Sequence, residues 1–537
     1  MARTPLLRQI RQKIKDAQAS RKTGVPIDEV PDIRAAKRAL SRRNFLAGAA
    51  AGTALLTVPR RVMAASQPSV TIVGGGIAGL QCALELRDKG YTSTVYEAQN
   101  KVGGRMFSNN GGYWQAGQVS EWCGELIDTG HKTIRGLATR YGLPLDDLHK
   151  AEPKNSDETY KFDGHYYAKA TADADFLAMW DVLDADVTAA GYPTTFDSST
   201  PEGAALDHMS VFDWIESRVP GGHNSNLGQL LDVAYNIEYG ANTDVQSALN
   251  LVYLLGFQND DPPTQLDVFG VSDERFHVRG GNQLIPNAIA ADLGGVKQNH
   301  SLTRLVQTPN GRYTCTFDRG NGCIDVTSDY VVLAIPFAVL RGIDTSRAGF
   351  DARKNTAIQQ LGRGHNGKLQ LQFTSRTWDG AGPWPGKANG TSYADSGYQA
   401  GWDVTRAQAG TQGILVMYSG GSVTDSMKTN AAYATAAMDP NVGKDATHGL
   451  AQLKYMFPDL TWNGLATQSL PHKSPFFNAS YSFWKTGQYT QFGGYEPVPM
   501  GGVYFCGEHT SQDFQGFMEG GAITGKQTAK ALAKLLR

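Results

Sequence analysis

A glycine-rich loop with the sequence GGGIAG, which begins at Gly74, restricts the possible folds of this chain most strongly. The apolar segment 69–73 before it is typical of a short buried strand, and residues 80–88 after it have the periodicity of a helix. In such a loop Gly74 permits a tight turn, Gly76 lets the backbone approach a pyrophosphate, and Gly79 lets the helix pack against the strand. The helix N-terminus then presents backbone N–H groups to the phosphates. The order of strand, loop and helix therefore predicts an α/β unit that binds a dinucleotide.

A second strand and an acidic residue continue this pattern. Residues 92–96 are expected to form the strand, and Glu97 follows where a carboxylate accepts hydrogen bonds from the adenosine ribose hydroxyls. NAD and FAD fit these features equally well. The next motif, KVGGR from Lys101 to Arg105, resembles the GG motif of the flavin amine oxidase family, in which the arginine lies close to the FAD pyrophosphate. A guanidinium suits a diphosphate because it presents several donors and a permanent charge, so FAD is the expected cofactor.

The C-terminal part of the chain resembles the same family. Residues 503–508 are expected to form a strand that ends in Gly507 and Glu508, and the motif GFMEGGA from Gly516 precedes a closing helix over residues 523–536. In the family, the Gly-Glu pair contacts the chain that links the two halves of FAD, and the helix N-terminus points at the flavin. The positive end of the helix dipole would stabilise an anionic reduced flavin.

Two central segments, residues 277–284 and 330–336, also match family motifs, so the resemblance covers residues 68–537. It implies an α/β fold with a discontinuous Rossmann-like FAD-binding domain and a mixed α+β substrate-binding domain, as in amine oxidases, with the active site at their junction. The expected FAD-binding domain comprises residues 68–125, 275–345 and 490–537, and the expected substrate-binding domain comprises residues 126–274 and 346–489.

Four residues are expected at the reacting carbon. The resemblance implies that Lys368, just before a predicted strand over residues 369–373, holds a water molecule against flavin N5. By motif, Tyr489 and Phe517 lie on either side of the substrate amine, where stacked rings would orient the nitrogen and exclude water. Glu125 lies in a segment that the family brings to the flavin face, where its carboxylate is expected to meet a basic substrate or only a backbone amide.

The expected contacts with FAD come from both ends of the chain. In the monoamine oxidase branch, a cysteine just before the first of the two aromatic residues is bonded to the flavin, but the corresponding residue here is Gln488. Non-covalent binding is therefore expected. The predicted cofactor-binding residues are Gly74, Gly76, Ala78, Gly79, Glu97, Gly104, Arg105, Gly124, Leu302, Gly507, Glu508, Phe517 and Met518.

Residues 1–64 are expected to form an export signal. Residues 1–43 carry twelve Lys or Arg against four Asp or Glu and end in two arginines, and the apolar run 47–58 follows. That run is too short to span a bilayer of about 30 Å, so no stable membrane anchor is expected. Small residues up to Ala65 suit cleavage, and the whole pattern resembles a twin-arginine signal, which serves proteins exported already folded. The alternative is a basic nucleic-acid-binding arm, but the order of segments fits a signal better, and a periplasmic or secreted protein is predicted.

Charge and composition exclude several other classes of function. Removal of residues 1–64, which contain fourteen basic and four acidic residues, would change the net charge from −1 to −11 and argues against a nucleic-acid partner. The five cysteines form no CxxC pair and the histidines have no metal-binding spacing, so neither a metal site nor a disulfide framework is expected. The cysteines are interpreted as small buried apolar residues. As a separate expectation, the protein forms a homodimer.

The resemblance implies an FAD-dependent oxidase that removes hydride from a carbon bearing an amino group and passes the electrons to dioxygen. An L-amino acid is the expected substrate, giving a 2-oxo acid, ammonia and hydrogen peroxide, because residues 124–134 resemble exported bacterial L-amino acid oxidases. The arginine with which venom-type enzymes bind the substrate carboxylate has no counterpart between Arg105 and Arg135, so an arginine of the substrate domain would have to replace it. The alternatives are an oxidase of primary or secondary amines and a flavin dehydrogenase with another acceptor. A non-enzymatic FAD-binding module is disfavoured by Lys368 and the two aromatic residues.

Overall fold

A parallel sheet of four strands carries the glycine-rich loop in this computed structural model, which describes residues 67–536. The predicted export signal lies outside the described residues. All three strand pairings are parallel, and the strand that leads into the loop is buried along its whole length. In spatial order the strands are Thr94–Tyr96, Val70–Val73, Tyr330–Leu333 and Val503–Phe505.

Two helices with small residues pack closely beside this sheet. The helix Ile77–Asp88 follows the loop, and the helix Met518–Leu532 lies against it. A Cβ atom on Gly525 would lie only 2.1 Å from the Ala78 carbonyl oxygen, so this close packing requires glycine. The sequence predicts that these helices begin at residues 80 and 523, but they begin at Ile77 and at Met518. The first turn of each helix contains glycine, which the close packing of the two helices accommodates.

A mixed sheet of nine strands forms the second large layer. Its strand Asn366–Phe373 alternates: Leu369, Leu371 and Phe373 pack in one apolar cluster, whereas the polar residues between them hydrogen-bond with residues 115–125. This period of two is what a strand with two different faces requires. Along the sheet the strands are Tyr433–Thr435, Trp462–Ser469, Asn366–Phe373, Gly413–Gly420, Ala400–Asp403, Lys387–Ala394, Asp157–Phe162 and His165–Tyr167, with Asp379–Ala381 paired to Lys387–Ala394.

Smaller sheets complete the β structure. A second four-stranded sheet has the order Cys323–Ser328, Tyr313–Asp318, Ser301–Gln307 and Asp344–Arg347. Three two-stranded sheets pair Ser108–Asn109 with Ser120–Glu121, Leu145–Asp147 with Phe276–Val278, and Gly362–Arg363 with Ser482–Phe483.

Helices cover the sheets, and four of them build a common apolar core. This core is centred on Lys169–Ala190, Val211–Arg218, Asn226–Tyr239 and Ala248–Leu255. The other α-helices are Lys132–Arg140, Leu148–Ala151, Pro201–Asp207, Leu284–Asp292, Phe337–Leu340, Ala352–Gln360, Gly421–Asp425, Pro440–Met456 and Gln488–Phe492. Short 3-10 helices span Gln115–Gly117, Gly222–Asn224, Thr243–Val245, Pro471–Lys473 and Glu508–Thr510. Within residues 67–536, no helix has the length and apolar character needed to cross a membrane.

The structure confirms the predicted α/β fold class and corrects one interpretation of the cysteines. Cys82, Cys315 and Cys506 are buried and unpaired, as expected, but Cys323 is exposed at the start of an outer strand and Cys123 is only half-buried. The strands of the parallel sheet come from all three segments predicted for the FAD-binding domain. The division of the chain into two domains stays a prediction.

Candidate active site

A cavity of about 370 Å³ runs from the glycine-rich loop to the nine-stranded sheet. One part of it, here called the cofactor end, is lined by the loop, by Glu97, Leu302 and His300, and by the segment that contains Glu508. The other part, here called the amine end, is lined by Lys368, Glu125 and a group of aromatic side chains.

Glycines shape the cofactor end by close backbone contacts. Gly74 has φ +110°, and a Cβ atom there would lie 2.6 Å from the Ala334 carbonyl oxygen. A Cβ atom on Gly79 would lie 2.0 Å from the Gly74 carbonyl oxygen, so Gly79 serves packing, as predicted, and does not line the cavity. A Cβ atom on Gly76 would meet nothing within 4 Å, which leaves open space in front of the helix N-terminus.

Glu97 closes this loop and faces the cavity. Its two carboxylate oxygens accept hydrogen bonds from the backbone N–H groups of Gly75, at 2.6 Å, and Gln99, at 2.8 Å. Burial outweighs these hydrogen bonds and raises the pKa of Glu97. Each oxygen retains a second lone pair, so the carboxylate can still accept a ribose hydroxyl.

Arg105 and Glu508 form a salt bridge that joins the two ends of the chain. Arg105 donates hydrogen bonds to Glu508, at 3.0 Å, and to the Ser480 carbonyl oxygen, at 2.8 Å. Burial opposes the ionisation of Glu508, but the charge of Arg105 and a hydrogen bond from Ser482 prevail and lower its pKa. The predicted residues Ala78, Gly104, Gly124, Gly507 and Met518 also line the cavity.

His509 supports the fit of a polar cofactor. Its side chain lines the cavity and is 2% exposed, yet neither ring nitrogen has a hydrogen-bond partner among residues 67–536. Burial lowers its pKa to about 4, so the neutral imidazole offers one donor and one acceptor. Buried polar groups are normally hydrogen-bonded, and a dinucleotide bound here would supply the missing partners.

Lys368 lies inside its strand rather than just before it, and it is 7% exposed. Its ammonium donates to Glu125 Oε2, at 2.5 Å, and to the Cys123 carbonyl oxygen, at 2.8 Å. Trp402 Nε1 donates to the other oxygen of Glu125, at 2.9 Å. Glu125 therefore contacts a lysine and an indole rather than a backbone amide, and its expected contact with a basic substrate stays a prediction.

The aromatic pair differs from the prediction in one member. Phe517 lines the cavity, at the residue preceding the helix Met518–Leu532, but Tyr489 does not, and Tyr481 from the same segment of the chain lines it instead. Tyr489 is fully buried elsewhere: its hydroxyl donates to Asn250 Oδ1, at 3.0 Å, and its ring packs against Trp484. The assignment of Tyr489 to the site is thus corrected by its position in the apolar core.

Backbone pairing explains why Tyr481 occupies this position. The Tyr481 carbonyl oxygen accepts from Gly364 N–H and the Ser480 N–H donates to the Gly364 carbonyl oxygen, which fixes Tyr481 beside the strand that carries Lys368. The Tyr481 hydroxyl donates to the Ile237 carbonyl oxygen and contacts the Tyr418 hydroxyl at 3.0 Å. Burial raises the pKa of Tyr481 well above its usual value, so the phenol stays neutral.

Four further residues line the amine end that the sequence analysis does not predict. Trp402 and Tyr418 come from neighbouring strands of the nine-stranded sheet, and their rings lie 5.3 Å apart. Glu238 and Glu274 add carboxylates from a helix end and a loop. Burial is the main cause that raises the pKa of both, that of Glu274 to about 8. No local pattern in the sequence marks these four positions.

A group of potential metal ligands lies outside this cavity, although the sequence has no metal-binding spacing. His365, Asp425 and His472 bring one ligand atom each within 4.8 Å of one another. The two imidazole rings are stacked, with centroids 4.4 Å apart and planes 14° apart. A metal ion lies in the plane of each imidazole that binds it, along the nitrogen lone pair, so these parallel rings do not share one ion as they stand.

Comparison with known proteins identifies the family. A family profile described as flavin containing amine oxidoreductase matches residues 77–533. The chain belongs to this family. Polyamine oxidase 1 of Zea mays is 24% identical over 487 residues, which cover 87% of this chain and 90% of that protein. An L-amino acid dehydrogenase of Synechocystis is 22% identical over 525 residues, which cover 90% of this chain and 99% of that protein.

Solved structures share the fold of this amine oxidoreductase. Cyclohexylamine oxidase from Brevibacterium oxydans superposes with a TM-score of 0.71 at 21% identity, covering 88% of this chain and 99% of that one. A putrescine oxidase bound to putrescine gives a TM-score of 0.70 at 19% identity, covering 87% and 99%. Family membership implies FAD as the cofactor. Three features of the cofactor end fit FAD: the open space at Gly76, the remaining lone pairs of the Glu97 carboxylate, and the His509 ring nitrogens, which lack a hydrogen-bond partner among residues 67–536.

Proposed function

We propose that this amine oxidoreductase is an FAD-dependent amine oxidase that uses dioxygen as electron acceptor. The observation that carries the proposal is the amine end itself, where a buried lysine and two aromatic side chains, Tyr481 and Phe517, line one cavity with the cofactor end. Bound FAD supplies a two-electron acceptor for hydride and, once reduced, a donor for dioxygen.

The residues of the amine end would bind and orient the substrate. Tyr481 and Phe517 would enclose the amine nitrogen, keep water away from it and favour its neutral form, from which hydride leaves the adjacent carbon most easily. Lys368, held by Glu125 and the Cys123 carbonyl oxygen, would position a water molecule or hand on a proton. The amine becomes an imine, which water converts to a carbonyl compound and ammonia, while dioxygen becomes hydrogen peroxide.

Non-covalent binding of FAD is part of the proposal. With Tyr481 as the first aromatic residue of the pair, the preceding residue is Ser480, whose hydroxyl donates to Asn366. Neither Ser480 nor Gln488 supplies a thiolate for a bond to the flavin. Acid precipitation of the yellow protein should therefore release FAD into the supernatant, and yellow colour that stays in the pellet would show a covalent link.

An L-amino acid as substrate stays a prediction and is the second candidate. The similarity to the Synechocystis L-amino acid dehydrogenase favours it, and that relative also keeps a non-oxygen acceptor as an alternative. However, Arg105 is the only arginine that lines the described cavity, and it pairs with Glu508. The amine end thus offers a substrate carboxylate no arginine clamp, and a simple amine fits it better.

A peroxide-coupled screen of holoenzyme tests the proposal. The panel comprises the twenty L-amino acids, several D-amino acids, and primary and secondary amines. Peroxide from amines without a carboxylate is the expected result. Activity confined to α-amino acids would favour the second candidate, and flavin reduction without peroxide would indicate a dehydrogenase.

A further inference from the structure

His131 lies between two phenylalanine rings, one of which lines the amine end. Its side chain is fully buried, at the residue that precedes the helix Lys132–Arg140. The centroid of the imidazole is 5.1 Å from that of Phe517 and 5.7 Å from that of Phe514, and the ring planes are 64° and 77° apart. Aromatic rings prefer such edge-to-face contacts to a face-to-face stack. A ring packed against Phe517 in this way limits the directions in which the Phe517 ring can point.

Asp128 fixes the orientation of the imidazole. Its backbone N–H donates to His131 Nδ1 at 3.0 Å, and its carboxylate lies 3.2 Å from His131 Nε2. Because Nδ1 accepts a hydrogen bond, the imidazole carries its proton on Nε2, beside the carboxylate. Both side chains are fully buried, so solvent does not compete for these contacts. The imidazole therefore cannot rotate without losing two contacts with one residue.

Glu519 joins the starts of the two helices that follow His131 and Phe517. Its carboxylate accepts hydrogen bonds from the backbone N–H groups of Thr133, at 3.0 Å, and Ile134, at 2.9 Å. The positive end of the helix dipole stabilises a carboxylate in this position. Glu519 itself lies in the first turn of the helix Met518–Leu532, two residues after Phe517. The backbone segments that carry the two rings are therefore held together.

Asp128 also holds a second part of the cavity wall. Its carboxylate accepts hydrogen bonds from the Ser272 hydroxyl, at 3.0 Å, and from the Glu274 backbone N–H, at 3.1 Å. Glu274 lines the amine end with φ +44°, a conformation that residues with a side chain adopt only at a cost. The pair of Asp128 and His131 thus supports both a ring and a loop of the amine end.

We infer that His131 is a positioning residue for amine oxidation: its ring, fixed by Asp128, holds the Phe517 ring in the orientation that directs the amine toward the flavin. This inference rests on the proposed amine oxidase function. His131 does not line the cavity, so it acts through Phe517 and not by contact with the substrate. A Phe517 ring that can turn would still enclose the amine but would orient the reacting carbon less often, so kcat should suffer more than KM.

Two substitutions separate the ring of His131 from its polar contacts. His131→Asn keeps an acceptor for the Asp128 N–H and loses the ring, whereas His131→Phe keeps a ring beside Phe517 and loses both contacts with Asp128. With the most active amine of the peroxide screen, kcat should fall about tenfold in His131→Asn while KM changes less than about threefold. His131→Phe should retain most of kcat but unfold at lower denaturant, because Asp128 stays buried without its partner. The opposite order of the two kcat values would overturn the inference.

A double-mutant cycle tests whether His131 acts through Phe517. In the Phe517→Leu background, His131→Asn should change kcat less than about twofold, because the ring that it positions is gone. If the effects of the two substitutions simply multiply, His131 acts independently of Phe517 and the inference is overturned.

An edge-to-face contact away from the cavity provides the matched control. Phe457 and Trp384 are buried outside the cavity lining, with ring centroids 5.3 Å apart and planes 87° apart. Phe457→Leu should lower the stability but leave kcat at its wild-type value. A comparable loss of kcat in this control would attribute the effect of His131→Asn to lost stability and overturn the inference.

Fluorine NMR separates this inference from the proposed function, because it needs no substrate. In FAD-loaded enzyme labelled with 4-fluorophenylalanine, the resonance that is missing from Phe517→Leu belongs to Phe517. If no amine is oxidised, the proposed function fails, but a sharp Phe517 resonance that broadens or splits in His131→Asn still supports the positioning of the ring. A resonance that is equally sharp in both proteins overturns the inference, whatever the activity.

Discussion

The two ends of the cavity recognise their ligands by different means. The cofactor end presents backbone and a balanced ion pair, Arg105 with Glu508, next to glycines that leave open space. The amine end presents side chains from separate segments, with more carboxylates than ammonium groups. Affinity for the cofactor should therefore depend on the absence of side chains at the loop, whereas choice of substrate should depend on which side chains are present at the amine end.

The largest expected effect comes from adding a side chain at the cofactor end. Gly76 has φ −74°, which any residue adopts, and a Cβ atom there meets nothing in the protein within 4 Å. Gly76→Leu should fold but fill the space meant for FAD, weakening its binding about 100-fold or more if the overlap costs several kcal/mol. Visible absorbance of the purified protein measures the bound flavin.

A second glycine provides the matched control for Gly76→Leu. Gly136 is an exposed helix residue whose Cβ atom would also meet nothing within 4 Å. Gly136→Leu should retain FAD fully. Stoichiometric FAD in Gly76→Leu would show that the loop does not bind the cofactor through close backbone approach.

Removal of the lysine should slow the reaction while FAD stays bound. Lys368→Met should reduce the rate of flavin reduction or reoxidation by roughly 10- to 1,000-fold if a positioned proton-transfer group is lost. It also leaves Glu125 buried without its ammonium, which should lower the free energy of unfolding by about 3–5 kcal/mol. Anaerobic flavin reduction and denaturant unfolding measure the two effects.

A double variant separates the two consequences of Lys368→Met. Glu125→Gln combined with Lys368→Met removes the unpaired charge and should recover part of the stability without recovering the rate. Turnover near the wild-type value in either variant, with stoichiometric FAD, would exclude Lys368 from the mechanism.

Substitution of Tyr481, which lines the cavity, and substitution of Tyr489, which lies in the apolar core, should have different effects. Tyr481→Leu removes a ring from the amine end and should lower kcat/KM for amines about 10- to 100-fold, because the substrate is held less well. Tyr489→Phe loses a hydrogen bond to Asn250, should lower the free energy of unfolding by about 1 kcal/mol and should keep kcat/KM. The reverse pattern would restore Tyr489 to the site.

The most gradual expected effect is the pH dependence of stability at Glu274, because it develops over several pH units. Its carboxyl has a pKa of about 8 in the folded protein against 4.5 as the ordinary value, so the folded state binds the proton more tightly. The resulting stabilisation is complete below about pH 4.5 and is lost as pH rises through 8. Compared with the wild type, Glu274→Gln should therefore gain about 1–3 kcal/mol of unfolding free energy between pH 5 and pH 9. Denaturant unfolding that gives the wild type and Glu274→Gln the same change in unfolding free energy between pH 5 and pH 9 would contradict this expectation.

The sequence predicts the cofactor end well because its determinants are local. Gly74 and Gly76, separated by one residue, belong to a single turn, and Glu508 lies only three residues beyond the end of the strand Val503–Phe505. The amine end depends on long-range pairing: Trp402 and Tyr418 meet only through strand register, and Glu274 reaches the cavity through a loop held by Asp128. Tyr481 and Tyr489 stand in one aromatic-rich segment, and only the pairing of the Tyr481 backbone with Gly364 decides which ring lines the cavity.

Anaerobic mixing of the FAD-loaded enzyme with amines tests the central claim most directly. We expect that an amine without a carboxylate bleaches the oxidised flavin, and that admission of air restores the yellow colour with one equivalent of hydrogen peroxide. Flavin that stays oxidised with every amine, or that is bleached only by α-amino acids, would contradict the assignment of this cavity to amine oxidation.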